Sequence, residues 1–108
     1  MAFTKYHIID LNEKSPIYIR VFINKGETTT LYTGINIDAN DWSFNTSLPL
    51  ENSFENINLN KKLNELKNLV SNRVKEKINK GESVSEDWLK DKIDNFFESY
   101  KVRELELV

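Results

Sequence analysis

Cysteine is absent from the 108 residues, which removes disulfides, thiolate metal sites and cysteine nucleophiles together and fits a reducing compartment. There is one histidine, His7. It has no second metal-type partner in a ligand spacing, so it reads as a surface or pairing residue, with neither a catalytic nor a metal role. The three glycines, at 26, 34 and 81, are too dispersed to form a phosphate-cradling loop, and each has a turn or stop explanation. No window approaches the roughly 20 apolar residues that span a bilayer. The run Met1-Ala2-Phe3-Thr4-Lys5-Tyr6-His7 also lacks an uninterrupted apolar stretch of the signal-peptide kind. The expectation is a cytoplasmic chain, neither secreted nor membrane-bound, with no catalytic residue, no metal, no cofactor and no small-molecule ligand.

What is present is ordinary globular material, 39% hydrophobic and 30% charged, enough for one modest core. A net charge of -2 counts against a nucleic-acid partner, because Lys and Arg supply most of the affinity for phosphate. The distribution qualifies that. Lys61, Lys62, Lys67, Arg73, Lys75, Lys77 and Lys80 meet only Glu65 and Glu76 between residues 60 and 80, and much of the acid excess lies between Glu82 and Glu106.

Phe3 to Asp10 is aromatic and β-branched and reads as a strand, followed by a turn over Leu11 to Ser15. After Pro16, Ile17-Tyr18-Ile19-Arg20-Val21-Phe22-Ile23 places an aliphatic residue at every odd position, the pattern of a strand with one buried face. Asn24-Lys25-Gly26-Glu27 suits a tight hairpin, with Thr28 to Thr33 as the return strand. Gly34 interrupts it, yet Ile35 and Ile37 continue the alternation, which predicts a bulge and a strand end near Asp38. Asp38 to Trp42 reads as an Asx-type turn that returns Trp42 to a core edge. A loop follows from Ser43 to Asn56, with an extended piece near Ser47-Leu48-Pro49-Leu50.

From about Ile57 to Lys80, Leu59, Leu63, Leu66, Val70, Val74 and Ile78 recur at helical spacing, and Gly81 stops the run. Ser83-Val84-Ser85-Glu86 carries a capping-box pattern before Trp88, Leu89, Ile93, Phe96, Phe97 and Tyr100, so a second helix is predicted to about Tyr100. The fold class is α+β: a three-stranded antiparallel sheet packed on a long helix, with a further short helix.

If the odd positions of the second strand are core, Tyr18, Arg20 and Phe22 face outward, joined by Thr28, Thr30 and Tyr32 and by Asn36. Arginine, hydroxyls and aromatics on one sheet face suit base edges, phosphates and thymine methyls in a major groove. Residue type alone equally supports a half-exposed face held by cross-strand Tyr-Thr and Phe-Thr pairs. The basic helix likewise reads as an ordinary solvated surface.

The order Ser15-Pro16-Ile17-Tyr18-Ile19-Arg20-Val21, Tyr32-Thr33-Gly34-Ile35-Asn36-Ile37, Asp41-Trp42 and Asn60-Lys61-Lys62-Leu63-Asn64-Glu65-Leu66 resembles the N-terminal arm-type DNA-binding domain of phage-type tyrosine recombinases, the integrases of bacterial mobile elements. The likeness covers roughly residues 3 to 80. It implies a sheet inserted in the major groove at arm-type sites, with double-stranded DNA and other integrase protomers as partners. Arg20, Lys25, Thr28, Thr30 and Tyr32 would be sheet contacts, flanked by Tyr18, Phe22 and Asn36. Residues 1–80 would form the DNA-binding domain, and 81–108 the second helix and tail that lead to a core-binding domain. The chain itself would be non-catalytic, a fragment or an accessory protein. Its hairpin tip is less basic than in relatives, and a second helix that links to a missing core-binding domain would leave an apolar stripe exposed in this chain. The rival reading is a protein-protein interaction module or a homodimerising accessory domain.

Overall fold

In a computed structural model, residues 3–11, 13–24 and 26–106 are described. Three strands, β1 (Phe3–Ile8), β2 (Lys14–Asn24) and β3 (Glu27–Asp38), form an antiparallel meander in the order β1-β2-β3. A single 3₁₀ turn, Ala39–Asp41, leads to a two-residue pair, β4 (Trp42–Ser43) with β5 (Leu48–Pro49). Two helices follow, α1 (Phe54–Asn79) and α2 (Glu86–Glu106). The result is an α+β fold in which both helices lie against the sheet.

The alternation of β2 sets the layers. Ile17, Ile19, Val21 and Ile23 are all buried, together with Leu31 and Ile37 of β3. They meet Leu63, Leu66, Val70 and Val74 of α1, spaced to form one apolar stripe. β1 joins the core differently. Its inward residues are Thr4, Tyr6 and Ile8, and the two polar ones bond to the helix: the Tyr6 hydroxyl donates to the Leu63 carbonyl at 2.7 Å, and Thr4 Oγ1 lies 2.7 Å from Ser71 Oγ. Burial pushes the Tyr6 hydroxyl pKa far up, so it stays a neutral donor.

Gly34 marks a bulge, as its interruption of the pattern predicts. Pro16 pairs with Asn36 and Tyr18 with Tyr32, so two residues of β2 are spanned by four of β3. Because the insertion is of two residues, the alternation of faces survives it. Gly34 has φ of +86°. Thr33 closes the gap in the ladder, with Oγ1 donating to the Ile17 carbonyl at 2.8 Å and accepting from the Ile35 amide at 3.2 Å.

The turn after β3 has the expected Asx chemistry: Asp38 Oδ1 accepts from the Asn40 amide, and Trp42 is buried. Several element limits differ from the sequence reading. β1 ends at Ile8, and Ser15 belongs to β2, where its hydroxyl accepts from the Ile9 and Asp10 amides and closes the turn. Helix α1 starts at Phe54, ahead of the predicted Ile57, because Ser53 caps it through the Asn56 amide. Its end at Gly81 is a Schellman motif, with the Gly81 amide on the Ile78 carbonyl and the Glu82 amide on that of Lys77.

Helix α2 is capped by Ser85, through the Trp88 amide, and runs to Glu106. It is therefore not short, and it passes the predicted end at Tyr100. Nor does it expose an apolar stripe: Leu89 and Ile93 are buried in the common core, with Trp88, Phe96 and Phe97 packed against it. A stripe that reads as unpartnered in sequence is covered here by β3 and α1.

Candidate nucleic-acid interface

With the odd positions of β2 pinned in the core, the even ones face away from both helices. Across the outer face the strands lie in register: His7, Tyr18 and Tyr32 form one row, Lys5, Arg20 and Thr30 the next, and Phe22 pairs with Thr28. Arg20, Thr28, Thr30, Tyr32 and Asn36 are exposed; Tyr18 and Phe22 are half-buried. Seven of the eight predicted site residues thus occur on one face. Lys25 lies outside the described residues.

Two residues join this face that the sequence reading did not assign to it, Lys5 and His7. Their strand hid its phase, because the inward residues Thr4 and Tyr6 are themselves polar and give no hydropathy alternation. Tyr6 was the available signal: a large aromatic in a short strand seeks the core, and its parity puts Lys5 and His7 outside.

The aromatic row is continuous. His7 stacks on Tyr18 with ring centroids 5.5 Å apart and planes at 21°, and Tyr18 meets Tyr32 at 5.9 Å. Partial burial first, and then the Arg20 guanidinium, hold the His7 pKa below the usual histidine range. In the next row Lys5 stands directly opposite Arg20. Among the described residues neither has a carboxylate within ion-pair distance. Like charges opposed across two strands repel, and an anion placed over them relieves that repulsion.

The motifs that carry the family resemblance divide into two kinds. Thr33, Gly34 and Ile35 build the bulge, and Asp41 and Trp42 anchor the turn: Asp41 accepts from Asn52 through Oδ1 and from the Leu50 amide through its carbonyl. These are fold determinants. Tyr18 and Arg20 stand on the outer face. The basic residues of α1 are elsewhere, since that helix packs on the inner face. Arg73 pairs with Glu76, Lys77 with Glu82, and Lys62 lies over the Phe97 and Tyr100 rings.

Among the described residues no helix is long and apolar enough to cross a membrane, and no group of His, Cys, Asp or Glu could hold a metal ion. No curated protein and no solved structure matches the chain. A family model for the arm DNA-binding domain matches residues 4–90, from β1 into the first turns of α2. The fold, the outward arginine of β2 and this match over most of its length agree, and the chain belongs to the arm DNA-binding domain family.

Proposed function

We propose that the outer face of the sheet enters the major groove of double-stranded DNA at arm-type sites and binds there with sequence selectivity, as the N-terminal domain of a tyrosine recombinase. The observation that carries this reading is the opposed pair Lys5 and Arg20, set among exposed hydroxyls and aromatics and, among the described residues, without a carboxylate partner. Three strands about 4.8 Å apart span about 10 Å between their outer axes, against a major groove about 12 Å wide. Arg20 reads a guanine edge or clamps a phosphate. Thr28, Thr30 and Tyr32, together with Lys25, hold the backbone, and Tyr18, Phe22 and Asn36 flank them. In this reading the groove-binding surface lies within residues 1–80, and 81–108, whose helix shares the core, lead to a core-binding domain. The domain is non-catalytic and cytoplasmic, and works beside other integrase protomers.

The test is a salt titration of binding to duplexes from the ends of the encoding element, with unrelated duplex as competitor. Selective binding that weakens steeply with salt is expected. Absence of binding at low salt would overturn the reading in favour of a protein-protein module.

A further inference from the structure

The Schellman turn at Gly81 folds the start of α2 back beside the end of α1. It brings Arg73 and Lys77 of α1, its C-cap Lys80, and Lys92 of α2 around Trp88, in one shallow cleft of about 250 Å³. The spacing 73, 77, 80 keeps three cations on one side of α1, and Trp88 and Lys92 are one turn apart on α2. Two carboxylates line the same cleft, and each is engaged. Glu76 pairs with Arg73 at 3.1 Å, and Glu82 with Lys77 at 3.5 Å.

Four cations against two carboxylates make this cleft locally positive in a chain of net charge -2. Lys77 and Lys92 both lie over the Trp88 ring, at 5.0 and 5.5 Å. The ring orients their ammonium groups and neutralises neither. Among the described residues, Lys80 and Lys92 have no carboxylate within ion-pair distance. Convergent positive charge at a solvated surface raises the local concentration of a polyanion.

We propose that this cleft is a second DNA site, which grips backbone phosphates without regard to sequence. The proposal rests on the reading that the domain binds DNA. The cleft belongs to the helix layer, so its phosphates come from a part of the DNA other than the groove under the sheet. They belong either to the same duplex beyond the arm site or to a second duplex.

The experiment uses the full chain and an unrelated duplex of about 30 base pairs, roughly three helical turns, so that selectivity plays no part. Binding is titrated with salt for the natural chain and for the triple variant Arg73→Ala/Lys80→Ala/Lys92→Ala. Lys77, whose side chain is 20% exposed, is left in place. Each lost phosphate contact lowers the slope of log K against log salt by about 0.9, so a fall of about two to three is expected, with the melting temperature kept. An unchanged slope overturns the proposal. So does an equal fall in Lys61→Ala/Lys75→Ala, which removes two exposed cations of α1 outside the cleft.

Combination with Arg20→Ala separates the two sites: residual salt-sensitive binding in the Arg20 variant that the triple variant abolishes supports the cleft, whether or not arm duplexes prove to be preferred. Capture of a second labelled duplex by domain already on an immobilised one identifies bridging. Dependence on duplex length alone identifies the same molecule as the source of the phosphates.

Discussion

Arg20 is exposed and makes no packing contribution to the core, so its removal should separate recognition from stability. Arg20→Ala is expected to weaken binding to an arm duplex by about 10- to 100-fold, or about 1–3 kcal/mol, with the melting temperature kept or slightly raised as the repulsion from Lys5 is removed. Equal affinity at moderate salt would remove the sheet-in-groove model. His7 offers a test by pH. Its pKa is lowered by partial burial and by Arg20, so below the ordinary value of about 6.5 the unfolded chain binds more protons than the folded one. Stability therefore rises with pH through that window and is lost as pH falls below it. His7→Gln should flatten this part of a melting-temperature profile taken between pH 5 and pH 7.5; a profile as steep as before would show that other groups set it.

At the scale of elements, the question is whether α2 is an appendage or part of the fold. Leu89 and Ile93 are buried to the same degree as the α1 stripe, and α2 contacts both α1 and β3. Leu89→Ala should therefore cost about 2–5 kcal/mol of unfolding free energy, as a cavity in a shared core does, measured by denaturant titration. A loss below about 0.5 kcal/mol, the range of surface substitutions, would show that the folded unit ends near residue 80. The bulge is a second element with a clear physical logic. Its paired residues keep their faces, and Thr33 engages the Ile17 carbonyl and the Ile35 amide where the ladder is irregular.

For the whole molecule, the layers form a slab with extents of 42 × 35 × 19 Å, with the aromatic and basic sheet face on one side and the helices on the other. Its mass as a monomer is 12.7 kDa. Because the aromatic stripe of α2 is packed inward, the chain should scatter light as a monomer at low concentration. Ile9, Phe44 and Phe54, three of the large apolar side chains left in water, lie in loops and the first turn of α1, not on that stripe. A tight dimer that buries the sheet face would instead favour the interaction-module reading.

Much of this architecture is written in local chemistry. The strict alternation of Ile17 to Ile23, the glycine at 34 between the threonine-rich return strand and Ile35 and Ile37, and the apolar stripe of α1 each demand one conformation, because period, turn geometry and burial agree at those positions. The same parity determined that Tyr18, Arg20 and Phe22 share the outer face. What only the tertiary structure decided is which partners cover ambiguous surfaces. β1 has polar residues on its buried side, and its phase depends on hydrogen bonds to α1, 57 residues away at Tyr6 and Leu63. The stripe of α2 reads alike whether it is open or covered, and the approach of β3 settled it. The cleft around Trp88 exists because two distant helix faces meet at a turn. Such features depend on contacts between segments whose separate sequences fit more than one arrangement, and only the energy of the assembled core chooses among them.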